Sequence, residues 1–253
     1  MLQPLPRHPG GGLARGIPAA LSLLSAFLIW EVYVRLSGIS PLMLPAPSRV
    51  LNQIVLNRTM LWDNTIPTLR ATFAGFALSL TVAFGLSIML DFMPRVRRAL
   101  FPIFVVSQTL PLVAIAPLVV LWFGFDLTPK VLLVALVTFF PMLVALVDGY
   151  AATDPEIENL LRSMGATRRV IFRRTRLPSA MPYFFAGLRI SITYAVVATI
   201  FAEYVGARAG LGIAILNAKN SFRPDLVLAA VVISSLLTLI LFACTALIQR
   251  RVL

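Results

Sequence analysis

Charge is scarce in this chain. Asp, Glu, Lys and Arg make up 13% of the 253 residues, against 59% hydrophobic. Water-soluble domains carry roughly 25% charged residues, so too little polar surface exists here to cover a soluble core. Histidine and cysteine are nearly missing. His8 stands alone in a Pro/Gly-rich stretch, which excludes a metal centre built from imidazoles. Cys244 is single and sits in the last apolar run, so neither a disulfide framework nor a thiolate metal site forms within one chain. No G-x-x-x-x-G-K-[ST] phosphate loop occurs, so the chain is not expected to bind or hydrolyse ATP. Gly206, Gly210 and Gly212 are followed by no Lys-Ser/Thr pair and preceded by no strand, and read as an outer turn. Strand-length alternation is also missing, which argues against an outer-membrane barrel. No run holds the clustered His, Asp or Glu of a membrane-embedded enzyme.

What remains is a series of long apolar runs, at about 17–36, 66–90, 100–123, 131–150, 183–205 and 226–248. Roughly 20 apolar residues cross a bilayer as a helix. The fold class is therefore all-α integral membrane, with about six spans. The first run is longer than the roughly 7–15 residues of a signal-peptide core, so it reads as a retained helix. Residues 1–16, with Pro4, Pro6, Pro9 and Gly10 to Gly12, are expected to form a disordered cytoplasmic tail, and residues 17–253 a single membrane domain. Pro102, Pro111 and Pro117 interrupt the third run, with Gln108 and Thr109 between them. Proline removes a helix hydrogen bond, so this span is either a kinked packing helix or one that borders a water-filled path.

The net charge is +12. On a soluble protein this would point to nucleic acid; here the arginines flank apolar runs, where they orient helices and meet anionic lipid headgroups. No nucleic-acid partner is expected. One side of the membrane collects Arg7 and Arg15, Arg95, Arg97 and Arg98, Arg162 with Arg168, Arg169, Arg173, Arg174 and Arg176, then Arg250 and Arg251. The other collects only Arg49, Arg58, Lys130, Arg208, Lys219 and Arg223. The positive-inside rule puts the richer side, with both termini, in the cytoplasm.

The longest cytoplasmic segment, residues 151–182, holds the charged island 154–178. Asp154 suits an N-cap and Pro155 the first helical position. Ile157, Leu160, Leu161 and Met164 follow at i, i+3, i+4 and i+7, which makes one apolar stripe. Gly165 stands where a left-handed C-terminal residue is wanted. Thr167 is placed to cap a second short helix, which Leu177-Pro178 should break. Such a stripe must bury itself on the bilayer, on its own bundle or in a partner's groove, and periodicity does not choose among these.

The spacing from Gly165 to Leu177-Pro178 resembles the EAA loop, E-A-A-x3-G-x9-I-x-L-P, of ATP-binding-cassette importer permeases. Asn159, Leu160 and Leu161 fall on the E-A-A positions and Thr175 on the isoleucine, so Asn159 and Thr175 depart from the pattern. LPAPSRVL (44–51), LPLVAIAPLVVLWFG (110–124), FFPMLVALVDG (139–149) and AEYVGARAGLG (202–212) resemble the nitrate/sulfonate/taurine branch, which includes riboflavin and thiamine-precursor permeases. The resemblance implies a type I importer permease of the inner membrane. It would act as a homodimer with two ATPase subunits, which bind the ATP and magnesium, and with an external solute-binding protein. The permease itself would need no cofactor. Ile157, Glu158, Asn159, Leu160, Leu161, Met164, Gly165, Leu177 and Pro178 would form the surface coupled to the ATPase. The solute would be a small sulfonate-like anion, or a vitamin or precursor such as riboflavin or a thiamine pyrimidine.

Polar residues inside the spans are candidates for a path or gate: Gln108, Thr109, Thr193, Tyr194, Thr199 and, at the outer end of the fifth run, Glu203. Ser, Thr and Gln also bridge helices. Glu31 and Arg35 are spaced to neutralise each other, and Asp148 is an expected partner for Arg189. An ion-gradient transporter is the alternative reading. It calls for inverted repeats and midplane ionisable groups, and neither is clear here.

Overall fold

The computed structural model describes residues 12–253 and is all-helical over them. In chain order the elements are α1 (Gly12–Ser37), α2 (Pro47–Leu56), α3 (Arg58–Phe92), α4 (Pro94–Ser107), α5 (Leu112–Phe123), α6 (Leu127–Ala151), α7 (Pro155–Ser163) and α8 (Arg168–Ile171). A π-turn (Phe172–Arg176) leads into α9 (Leu177–Val205), and α10 (Leu211–Asn220) and α11 (Pro224–Val252) complete the chain. The first helix begins at Gly12 rather than at 17, and residues 1–11 of the expected tail lie outside the described residues.

Among the described residues, five helices are long and apolar enough to cross a membrane, and the pair α4 and α5, bent by 97° between them, makes a sixth if taken as one broken span. Packing decides for the broken span. Gly75 of α3 lies against Val131 and Val134 of α6, and Ser87 of α3 meets Tyr150 at the far end of α6, so α3 and α6 run parallel. The chain between two parallel spans must return to its starting side, and α4 with α5 is that return. Pro111 lacks the amide that would continue α4, and a turn over Gln108–Leu110 takes its place. The interruption expected of the third run is thereby located at Pro111, as a break into two half-length helices at nearly a right angle.

The centre of the bundle is α3, α6 and α9. Small residues sit at their crossings: a side chain at Gly75 would meet Val134, one at Gly149 would meet Ala180, and one at Gly187 would meet Ala145. Without a hydrophobic drive between helices in lipid, such close approach is what holds them together. Hydroxyls add cross-links, Ser191 to the Thr138 carbonyl at 3.1 Å and Thr72 to Thr199 at 2.9 Å. The α9 helix runs antiparallel to the other two. At its end farthest from α7, Asp225 of α11 accepts from Arg49 of α2 at 3.1 Å.

By contrast α1 is largely exposed. It is tied down where Glu31 accepts from the Ser48 amide (2.9 Å) and hydroxyl (2.7 Å) and from Arg35 (2.7 Å), the last being the pair that the sequence spacing anticipates. Arg189 does not meet Asp148, which is exposed. It bonds Gln249 of α11 instead and lies over the Phe242 ring at 6.0 Å, because α11 rather than the inner end of α6 faces that side of α9.

Candidate functional site

Asp154 caps α7 through a 2.8 Å bond from the Glu156 amide. At the other end Gly165 has φ +82°, the Ala166 amide donates to Leu161 O at 2.9 Å, and the Gly165 amide to Arg162 O at 3.0 Å. That pair of bonds is a complete Schellman ending. The helix is thus defined at both ends by its own residues. On its surface Ile157, Leu160 and Met164 are 47%, 60% and 74% exposed, and Leu161 is half-buried. Asn159 is exposed as well. The stripe faces away from the bundle that carries it.

Glu158, grouped by sequence with the stripe, turns the other way. It is buried, and its carboxylate accepts Nε and Nη2 of Arg176 at 2.6 and 3.0 Å. Arg162 adds a longer contact at 3.4 Å. Hydrogen bonds from Arg176 hold the Glu158 carboxyl below the usual carboxylate range, against the opposing effect of burial. The third guanidinium nitrogen, Nη1, reaches Asp91 at the end of α3 at 2.5 Å. Asp91 stands outside every motif quoted above; a lone acid beside Arg95, Arg97 and Arg98 was the only sign it offered.

Leu177-Pro178 does not break the chain as expected. The Leu177 amide donates to the Phe172 carbonyl, and the widened turn carries the helix on through Pro178. Pro178 is exposed and Leu177 half-buried. Thr167 occupies the N-cap position of α8, but its side chain makes no capping bond. The π-turn seats Phe172 between Tyr150 of α6 and Phe92 of α3, with ring centroids 5.2 and 5.4 Å away.

At the opposite end of α9, Glu203 is fully buried. Its carboxylate accepts from Thr68 of α3 at 2.9 and 3.0 Å and from the Gly212 amide at 3.0 Å. The Thr68 hydroxyl in turn accepts from the Leu211 amide at 2.9 Å, and Asn64 accepts from the Gly210 amide at 2.9 Å. Lys130, assigned by sequence to an outer loop, is buried and donates to Ala209 O at 3.2 Å. The glycines are a cradle for Glu203: a Cβ on Gly210 would lie 2.1 Å from its carboxyl carbon.

The remaining path candidates separate. Gln108 and Tyr194 line one cavity of about 300 Å³ at the α4–α5 joint, together with Leu112, Ile115 and Val137. Thr109 is exposed and bonds Val106 O at 2.8 Å. The Thr193 hydroxyl is bonded to Arg189 O at 3.0 Å, and Thr199 is buried on Thr72 and Ala195 O. Both are bonded within the bundle.

Residues 75–253 match the family described as "Binding-protein-dependent transport system inner membrane component". The formylaminopyrimidine transport permease protein ThiX of Halalkalibacterium halodurans is 37% identical over 230 residues, covering 90% of this chain and 92% of that one. The riboflavin transport system permease protein RibX of Chloroflexus aurantiacus is 36% identical, covering 94% and 88%. The taurine transport system permease protein TauC of Escherichia coli is 30% identical, covering 94% and 90%. The fold is similar to a chain of the inward-facing MetNI methionine ABC transporter, with a TM-score of 0.68 and 18% identity over 78% of this chain and 98% of that one.

Proposed function

The chain belongs to the inner membrane components of binding-protein-dependent transport systems, and from that premise we propose that α7 is its coupling helix, the element seated in a groove of each ATPase subunit. The protein is a multi-pass permease of an ABC importer, and it performs no covalent chemistry. Hydrolysis belongs to a separate subunit, since the sequence has no phosphate loop. One observation carries the assignment of α7: a helix capped at both ends displays Ile157, Leu160 and Met164 outward, each about half exposed or more against the described residues. An apolar stripe of this kind is how a short helix enters a partner's groove.

ATP binding closes the ATPase pair, the coupling helices approach, and the bundle turns outward to take solute from the external binding protein. Two copies of this chain complete the path. In support, the otherwise well-buried α9 leaves Tyr183, Ile190, Tyr194 and Val197 exposed at helical spacing, and Tyr194 and Gln108 share the cavity at the α4–α5 joint. The solute is a nitrogen-heterocyclic vitamin or vitamin precursor. That reading draws support from the ThiX and RibX relatives and from a cavity lined mainly by apolar side chains. A sulfonate is the second reading, favoured by the TauC relative. The arginine distribution supports cytoplasmic termini.

Affinity purification of the chain from its native membrane recovers an ATPase polypeptide. Leu160→Ser combined with Met164→Ser lowers that recovery about thirtyfold or more, as loss of an interface hot spot does. Transport by the chain in the absence of any ATPase would sink the proposal.

A further inference from the structure

Among the described residues, every side-chain hydrogen bond that joins α7 to another helix is donated by Arg176 to Glu158. The helix is short, and its neighbours in the chain are the turns at Ala152–Thr153 and Met164–Gly165. Left to those turns, it would swivel under load. A guanidinium holding one carboxylate through two nitrogens fixes direction as well as distance. Arg176 does this at 2.6 and 3.0 Å, and its remaining arm holds Asp91 at 2.5 Å. The three side chains are 26%, 10% and 12% exposed for Arg176, Glu158 and Asp91, so water competes poorly for the bonds.

The backbone under Arg176 is braced too. It closes the π-turn, whose Phe172 is wedged between Phe92 of α3 and Tyr150 of α6. A π-turn rotates the residues after it relative to an α-helix, and here it sets Arg176 between α7 and α3. At the far side of the bundle α3 and α9 are joined again, by Thr72 to Thr199 and Thr68 to Glu203. The two long helices are therefore fastened at both ends.

We infer that Arg176 is a positioning residue that clamps α7 to α3 and α9, so that the three helices move as one body and a push on α7 reaches the Glu203 corner. This rests on the coupling role proposed for α7. The clamp assigns distinct jobs to neighbouring residues: the exposed stripe meets the partner, and Glu158 passes the load inward. It also explains why Glu158 is buried when the residues on either side of it are exposed.

The test uses the full chain with its ATPase subunits in lipid nanodiscs, on a Cys244→Ser background, with spin labels at Ser163→Cys on α7 and Val82→Cys on α3 of one permease copy, assembled with an unlabelled second copy so that only the distance within one chain is read. Wild-type Arg176 should give a narrow distance distribution that ATP plus vanadate leaves unchanged. Arg176→Gln should retain the ATPase subunits but broaden the distribution and make it respond to nucleotide. Arg176→Lys, one point charge without the fork, should fall between them. Asp91→Ala keeps the Glu158 pair and removes only the tie to α3; it too should broaden, and it decides the matter if Arg176→Gln fails to assemble. A wild-type distance that shifts with nucleotide overturns the clamp, as does an Asp91→Ala distribution identical to wild type. Absence of any ATPase from the wild-type preparation would instead overturn the coupling role itself.

Discussion

A carboxylate buried beside glycine amides, such as Glu203, survives in a membrane protein only if its oxygens are occupied. Thr68 and the Gly212 amide occupy them, and the fit leaves no room for a side chain on Gly210. Gly210 also has φ +135°, a conformation that residues with a Cβ rarely adopt. Gly210→Ala therefore combines strain with displacement of Glu203, and about 2–6 kcal/mol of destabilisation is expected, from about 1–3 for each effect. Glu203→Gln keeps an acceptor for Gly212 and Thr68 and should cost less. Thermal unfolding in detergent, followed by the fluorescence of Trp62 and Trp122 and of the third tryptophan, Trp30, ranks the two. If Gly210→Ala unfolds at the wild-type temperature, the cradle is not holding the α9–α10 corner. Sequence pointed to Glu203 as an acid at membrane depth. It gave no sign of Thr68, which is 135 positions away and chemically unremarked.

Helices were more legible than their partners. Apolar run length located the spans, and the Asp154 cap, the 157–164 stripe and Gly165 were readable because each depends on residues a few positions apart. The right-angle bend at Pro111 and the continuous passage through Pro178 were not, since a proline's effect depends on whether neighbouring turns can take up the missing bond. In one case the chain bends by 97°; in the other a π-turn absorbs it. The clamp of Glu158, Arg176 and Asp91 was invisible for a further reason: Arg176 and Asp91 are 85 positions apart, and topology alone brings them together. For the α7 ending, the structure narrows what a mutation tests. No atom lies within 4 Å of a Cβ built on Gly165, so bulk is tolerated and only φ +82° resists substitution. Gly165→Asn, which enters the left-handed region readily, should recover nearly wild-type amounts of ATPase in a pull-down. Gly165→Val should recover about tenfold less, about 1–2 kcal/mol being the cost of that region to a residue with a bulky Cβ. Equal recovery by both would show that the turn does not set the presentation of α7.

For the whole molecule, packing constrains topology more tightly than hydropathy does. Because α3 and α6 run parallel and α9 runs against them, the α4–α5 pair has to cross, which makes six crossings and puts both ends of the described chain on one side. Directions alone do not say which side that is. Charge supplies the sign: Arg95, Arg97, Arg98, Arg168, Arg169, Arg173 and Arg174 gather at the α7 end, and Arg250 and Arg251 close the chain on the same side. Of the six basic residues assigned to the other side, Lys130 is buried under the turn at Ala209 and Arg49 is paired with Asp225. On the α7 side Arg162 and Arg176 are likewise paired with acids, so counting only the unpaired cations leaves the bias toward a cytoplasmic α7 in the same direction. A Cys244→Ser chain carrying either Asn220→Cys at the end of α10 or Ser163→Cys at the end of α7 separates the two orientations, both sites being exposed. In intact cells whose outer barrier admits the reagent, a membrane-impermeant maleimide should modify position 220 within minutes and leave position 163 unmodified until the membrane is opened. The reverse pattern would place α7 outside, where no ATPase could reach it, and the coupling role would fall with the orientation.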